Sequence, residues 1–423
     1  MPDPLRSTEH EQPQRALVDH RRLGRELELF FTDDLIGAGL PVWLPRGASV
    51  RRALEDFIVD FERRSGFVHV VTPALGKRRL YEISGHVPHF QADMFPAMEM
   101  SSEQLVLRPS NCPHHVLVYR AAARSYRELP LRIAELGDMY RNERSGVLGG
   151  LSRVRAMTLN DAHVFCAPDR VRAELASALE MIERAYAHLG ITDFWYRLSL
   201  RDERRDKYAG PEASWRRAEE ALRGVLDDLG RGYVEAPGEA AFYGPKIDVQ
   251  VRDHLEREST LSTVQVDFHL PARFELAYVG EDGAEHRPVM VHRSVVSTME
   301  RMVAHLVEIH RGALPPWLAP VQVAVLPVAE RHSGRAQELK RRLVERGGRA
   351  EVQGADRTLG ARVRAARHHR VPYVVVLGDR EDAHETVSLR LRDGARVADM
   401  DGDRFVALVA EVNRRRSVEL LPR

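Results

Sequence analysis

The chain has 423 residues, too many for a single hydrophobic core, and the length points to two or three folded units. Apolar residues make up 43% and charged residues 30%, with a net charge of +1, an ordinary soluble composition with no global basic field for nucleic acid. Only Cys112 and Cys166 are present, which excludes a disulfide framework and makes a reducing cytoplasm the natural home. The opening residues MPDPLRSTEHEQPQ hold no apolar signal core, and no run approaches the ~20 apolar residues of a membrane span. Basic residues do cluster at 201–205 and 362–370; such runs can track phosphates but are more often solvated helix faces.

Residues 1–14 read as a disordered arm. Over 17–31, Leu17, Leu23, Leu27 and Phe30 recur at helical spacing. A short strand is expected at 40–45, then a helix capped by Ser49 with Leu54, Phe57, Ile58 and Phe61 on one face. Residues 66–73 are extended and end at Pro73. Further strands are predicted at 104–108, 131–136, 155–159, 162–165, 246–251 and 263–268, with helices at 169–188, 212–229 and 294–310. That order fits a mainly antiparallel sheet flanked by helices, an α+β fold.

Three prolines within 314–320 form a stiff connector and mark a boundary. Beyond it, strands at 321–328, 350–353, 371–377 and 386–391 alternate with helices at 331–346, 358–369 and 402–414, predicting a small α/β domain over 321–423. The main domain then spans 15–313.

Three separated segments offer metal ligands beside polar groups: Asn111-Cys112-Pro113, Asp161-Ala162-His163 and Val291-His292-Arg293. Cys112, His163 and His292 would give a zinc ion three protein ligands and one open position, the arrangement of a zinc that handles a substrate. Cys166, three residues after His163, is a competing ligand. Tyr140-Arg141-Asn142-Glu143 and Met299-Glu300-Arg301 add arginines, whose planar fork suits phosphate and carboxylate.

Together these segments resemble the catalytic core of the threonyl-tRNA synthetases, which are class II aminoacyl-tRNA synthetases. The resemblance covers roughly residues 17–420 and implies a class II antiparallel sheet followed by a small α/β anticodon-binding domain. It implies a homodimer that activates L-threonine with ATP and Mg2+ and transfers it to tRNA(Thr), using one zinc per chain held by Cys112, His163 and His292 to select the amino acid. Valine is nearly isosteric with threonine, and a shaped apolar pocket separates such pairs only about a hundredfold, whereas a metal reading the hydroxyl rejects valine. Arg141 and Arg301 resemble the arginines that grip the α- and γ-phosphates, Arg153 the loop arginine that reaches the γ-phosphate, and Glu143 the glutamate that contacts adenine. Asp161 is expected to accept a hydrogen bond from the substrate hydroxyl. His86 in Ser84-Gly85-His86, Tyr243 and Lys246 in Phe242-Tyr243-Gly244-Pro245-Lys246, and Gln265 in Thr263-Val264-Gln265 look like further substrate-facing residues. In the last domain, Glu381 and Arg390 match anticodon-reading positions, and Asp356 stands where the family has an asparagine.

Several positions depart from the family pattern. Leu159 replaces a glutamine that helps hold the amino acid carboxylate, and Met157 replaces a phenylalanine that stacks on adenine. Ser110 and His114 stand for methionine and glycine, and Ser297 for glycine. The resemblance starts near Arg15, so no ubiquitin-like or editing domain is expected, and mischarged Ser-tRNA is not expected to be cleared in cis. The alternative is a paralogue that forms the adenylate of a related β-hydroxy amino acid for specialised metabolism, or an inhibitor-resistant duplicate.

Overall fold

The computed structural model describes residues 18–203 and 207–422, so the expected arm at 1–14, the helix start at Leu17 and part of the basic run at 201–205 lie outside the described residues. The larger sheet has strands β1 (Val68–His69), β2 (Leu131–Tyr140), β3 (Ala156–Cys166), β4 (Trp195–Leu200), β5 (Tyr233–Pro237), β6 (Lys246–Arg252), β7 (Glu258–Asp267) and β8 (Val289–Ser294). They lie in the order β5-β4-β6-β7-β8-β3-β2-β1, antiparallel throughout except for the parallel pairs at the two edges. Helices α1 (His20–Glu26), α2 (Pro45–Arg64), α3 (Cys112–Arg120), α4 (Val171–Leu189), α5 (Glu212–Asp228) and α6 (Met299–Ile309) accompany it. Val164, Ala162, Val291, Val264 and Ile247 point from the sheet into an apolar core shared with α2, α4, α5 and α6. Among the described residues no helix is long and apolar enough to cross a membrane.

The expected helix over 17–31 is shorter than its periodicity. It ends at Glu26, Glu28 takes a positive φ, and Phe30–Phe31 becomes a strand paired with Trp43 and Val42. Ser49 is not a cap: α2 starts at Pro45, a first-turn proline whose missing N–H costs nothing, and Ser49 donates back to the Pro45 carbonyl. The predicted strands at 155–159 and 162–165 are one strand, β3. The predicted helix at 294–310 begins only at Met299, because Ser294 ends β8 and a bend intervenes. That strand is absent from the sequence reading, since its residues are all buried and show no alternation.

A second sheet contains β9 (Val323–Pro327), β10 (Ala350–Val352), β11 (Tyr373–Leu377), β12 (Thr386–Leu391) and β13 (Arg396–Asp401), in the order β10-β9-β11-β12-β13. Helices α7 (Ser333–Glu345) and α10 (Gly402–Arg415) cover one face, α8 (Leu359–His368) the other, and α9 (Asp379–His384) follows β11. Sequence reading missed α9 and β13, both short and polar. Arg362 is no part of a solvated run; it is buried and donates to the Pro327 and Gln353 carbonyls. The proline-rich connector is docked: Trp317 is buried against Phe57 and donates to the His188 carbonyl.

Two features fix the bend before α6. Glu62 of α2 is wholly buried and meets Arg293 of β8 at 2.7 Å, while Asn160 of β3 donates to Glu62 at 2.8 Å. Asn160 also accepts from the Val295 and Val296 N–H groups. Ser297 then takes φ +57°, the left-handed region that glycine enters at least cost. Replacing Ser297 with glycine should stabilise the protein by about 0.5–1 kcal/mol, read as an increased midpoint in urea. Glu62→Gln strands a buried guanidinium and should cost about 3–5 kcal/mol. Burial raises the Glu62 carboxyl, but Arg293, His69 and Asn160 more than offset this and hold it below its ordinary value. Its stabilisation is therefore present at neutral pH and lost as pH falls through the folded-state value; a urea series from pH 7 to pH 3 should show a shallower acid loss in Glu62→Gln.

Candidate active site and metal centre

Side chains directly opposed on antiparallel strands share a sheet face. His163 opposes His292, His292 opposes Gln265, Gln265 opposes Lys246, and Asp161 opposes Glu135. Strand alternation adds Leu159 and Met157 from β3 and Asp267 from β7 to this face. The N-terminus of α3 brings Cys112 to the same place: its Sγ lies 3.5 Å from His292 Nδ1. His163 Nε2 lies 3.0 Å from that same nitrogen, and the three donor atoms are all within 4.8 Å of one another.

The donor set fits zinc. Zinc–nitrogen and zinc–sulfur bonds of about 2.0–2.1 and about 2.3 Å in a tetrahedron separate ligand atoms by about 3.3–3.6 Å, close to these spacings. Each imidazole also has its far nitrogen tied down, His292 Nε2 to Asp267 at 3.0 Å and His163 Nδ1 to His115 at 2.7 Å. Ser110 Oγ, a departure from the family, donates to the Cys112 sulfur at 3.0 Å. Burial alone would strip His292 of its proton, but the Cys112 sulfur and the Asp267 carboxylate outweigh it and lift the imidazole to about 10. The centre is thus arranged around a positive charge. Cys166 is three residues from His163, hence on the opposite face, in the apolar core, where burial pushes its thiol up to about 12.

The other site residues gather around this cluster. Tyr243 stacks on His292 with centroids 5.0 Å apart and donates to Gln265 at 2.7 Å. His86 contacts Ser84 Oγ at 2.8 Å and packs edge-on to Phe90 and Phe242; burial and then the charge of His292 push it down to about 4. Lys246 is engaged by the buried Asp248 at 2.8 Å. Burial raises the Asp161 carboxyl above its ordinary value.

Arg141 follows β2, with its guanidinium 5.8 Å from the Phe90 ring. Arg301 lies in the first turn of α6, where Thr298 caps the helix by accepting from the Arg301 N–H. Burial, then the nearby charges of Arg141 and Arg153, lower Arg301 to about 10. Guanidiniums that disfavour one another in a shielded place mark a pocket for an anion. Arg153 donates to Glu143 at 2.9 Å, so these two residues are paired with each other. Leu159 sits opposite Gly137 and bridges to Thr298, and its side chain offers no hydrogen bond to the site face. His114 is buried with Nδ1 unpartnered, and burial pushes it down to about 4.

Glu381, Arg390 and Asp356 stand apart from this cluster, on and beside the second sheet. The Glu381 carboxylate accepts from the Gly378 N–H at 3.0 Å and from Ser388 at 2.7 Å, Arg390 opposes Val374 and Arg396, and Asp356 is exposed. Sequence reasoning missed His115, Glu135 and Asp267. His115 lies three residues after Cys112 on the same helix, and Asp267 two after Gln265 on the same strand face, so periodicity could have found both. A second group, Asp19, His20 and Glu308, also has donor atoms within 4.8 Å. Both His20 nitrogens are already used, one by Glu308 at 2.7 Å and one by the Leu151 N–H at 3.1 Å, so it clamps α1 to α6.

Residues 95–310 match the family model described as tRNA synthetase class II core domain (G, H, P, S and T), and residues 322–412 match the anticodon binding domain model. The chain is 51% identical over 404 residues to a threonine–tRNA ligase of Geobacillus kaustophilus, covering 95% of this chain and 62% of that protein. It is 52% identical over 374 residues to threonine–tRNA ligase 1 of Bacillus subtilis, covering 88% and 58% respectively. The chain thus spans a little under two thirds of these relatives' length. A crystal structure of the RNA binding domain of threonyl-tRNA synthetase from Cryptosporidium parvum superposes with TM-score 0.88 at 36% identity, over 93% of this chain and 98% of that one. Prolyl-tRNA synthetase of the same organism shares the fold at 15% identity, with TM-score 0.69. The chain belongs to the class II aminoacyl-tRNA synthetases, in the threonyl-tRNA synthetase family.

Proposed function

We propose that this chain activates L-threonine with ATP and Mg2+ and transfers it to tRNA(Thr), as a zinc-dependent cytoplasmic homodimer. The observation that carries the reading is the convergence of Cys112, His163 and His292 on one sheet face beside the arginine pocket. Bound zinc would offer its open position to the amino and hydroxyl groups of threonine. Asp161 accepts the hydroxyl hydrogen bond, and Tyr243 and Gln265 wall the amino acid against His292. Lys246 and His86 flank it. Arg141 and Arg301 neutralise the triphosphate while a threonine carboxylate oxygen bonds to the α-phosphorus and the bond to the bridging oxygen breaks, releasing pyrophosphate. Glu143 and Met157 bound the adenine side, and Arg153 reaches the γ-phosphate after leaving Glu143. The terminal hydroxyl of tRNA then attacks the acyl carbon and AMP leaves. Glu381, Arg390 and Asp356 read the anticodon from the second sheet. We read the main and second domains as 15–313 and 321–423, joined by 314–320.

The proposal extends to fidelity. A centre that reads an amino group and a hydroxyl admits serine too, and no deacylation of Ser-tRNA(Thr) is expected from the two folded parts. A second reading, a related β-hydroxy amino acid as substrate, is favoured by Leu159, an apolar side chain on the site face. Pyrophosphate exchange with a panel of β-hydroxy amino acids, followed by charging of purified tRNA, separates the two: strong exchange without charging supports the second.

Self-association has its own support. Val68 is exposed on the edge strand β1, Val71 at 96% in the segment after it, and Leu75, Met98 and Met100 on a small sheet of Leu75–Lys77, Met98–Met100 and Glu103–Leu107. A second copy is the occupant we assign, and sedimentation should give a dimer that Val71→Asp converts to monomer. Preparations made without chelators should hold one zinc per chain by elemental analysis, and Cys112→Ala should lose it while keeping the fold. Arg301→Gln should lower the kcat/KM of threonine-dependent pyrophosphate exchange about 10- to 100-fold, the loss of a charged hydrogen bond.

A further inference from the structure

We infer that His115 and Glu135 form a positioning relay that fixes the tautomer of His163 and thereby sets how tightly the centre holds its metal. This rests on the zinc reading above. Neither residue lies in the sequence segments that carry the family resemblance, and neither touches the substrate side of the cluster.

Proton direction along the chain of contacts is forced from one end. The Glu135 carboxylate accepts from the Thr72 N–H at 2.9 Å and from Thr72 Oγ at 2.8 Å, and Arg108 Nη2 stands 3.3 Å away. Burial works against its charge, but His115, Thr72 and Arg108 hold it down to about 2, so it only accepts. His115 Nε2, 3.1 Å from Glu135 Oε2, must therefore carry a proton and donate it. With one proton on each ring, that leaves His115 Nδ1 as a lone pair, and the nitrogen 2.7 Å from it, His163 Nδ1, is the donor. His163 Nε2 is then a lone pair, aimed at His292 Nδ1 3.0 Å away.

The other half of the centre is built the same way with one fewer link. Asp267 accepts the His292 Nε2 proton directly at 3.0 Å, which leaves His292 Nδ1 as the nitrogen that faces His163 Nε2 and the Cys112 sulfur. Two ring nitrogens and a sulfur that converge in this way are arranged around one positive charge, which a metal ion would supply when bound. His115, His163, Glu135 and Asp267 are all buried, so solvent does not scramble these tautomers. A carboxylate that accepts a ring proton also makes the opposite nitrogen a better donor.

The test is zinc affinity of the full chain, measured by competition with a chromophoric chelator, alongside the visible spectrum of the Co2+-loaded protein. His115→Phe and Glu135→Gln should each weaken zinc binding ten- to a hundredfold, the range expected for outer partners of a ligating histidine. His115→Asn, which keeps an acceptor near the Nδ1 position, should recover part of the loss. Because the two residues act in series, the double variant His115→Phe/Glu135→Gln should bind no more weakly than His115→Phe alone. Parent-like zinc affinity and Co2+ spectrum in His115→Phe, or full additivity in the double variant, would overturn the relay. A metal-free parent would overturn the zinc reading itself; a zinc-loaded parent with equally tight variants overturns only the relay.

Discussion

The register between β3 and β8 is the constraint on which the site depends. His163 opposes His292, and Ala162 opposes Arg293. A slip of one residue would exchange His292 for Arg293 and put a guanidinium among the metal donors, because side chains alternate faces. The far face holds the register against that slip. Arg293 is wholly buried there, 2.7 Å from Glu62 and with its guanidinium 4.1 Å from the Phe67 ring. A buried ion pair adds little net stability against an apolar substitute, but a mispaired one is very costly, so it serves specificity of pairing. The long helix α2, through Glu62, therefore acts on the site without touching it.

Much of this architecture was legible in the sequence where side-chain periodicity follows burial. Helix α2 shows its face through Leu54, Phe57, Ile58 and Phe61; β6 is legible because apolar and polar side chains alternate along it in sequence, although its central positions are all buried. Reading failed where both faces are covered or the backbone bends. Strand β8 is buried at every position, so it carries no alternation, and its chemistry at His292 was found only by resemblance. The start of α6 was misplaced because Ser297 in a left-handed conformation looks like any polar residue in a helix pattern. The ligand set was visible as residues, and periodicity could place His115 and Asp267 beside it, but the pairing of His115 with Glu135 was not visible. His115 and Glu135 lie 20 residues apart on a helix and a strand, and only tertiary packing joins them.

The departures from the family pattern sort by what surrounds them. Ser110 has a structural partner, donating to the Cys112 sulfur at 3.0 Å. Ser297 accepts a conformation that costs an L-residue energy, offset by Asn160 holding the two preceding N–H groups. Leu159 gains no compensating polar contact, so its change acts on whatever lies over the sheet. Nothing in the structure explains His114, whose Nδ1 is buried without a partner.

Charge is distributed over the sheet face in a way that orients a small zwitterion. One end carries Cys112, Asp161, Asp267 and, behind His115, Glu135; the other carries Arg141, Arg153 and Arg301. Burial shields both ends from solvent and works against the charge on each: the Asp161 carboxyl is raised above its ordinary value, and Arg301 is lowered to about 10. Under the proposed function, an amino acid entering between them would meet a field that draws its ammonium toward the sulfur and carboxylates and its carboxylate toward the guanidiniums. In that reading the same field would set a nucleotide's phosphates beside that carboxylate, with no side chain needed as nucleophile. Orientation and charge neutralisation are what an attack of carboxylate on phosphate requires, and two strands in the right register, locked from behind by a buried ion pair, supply both.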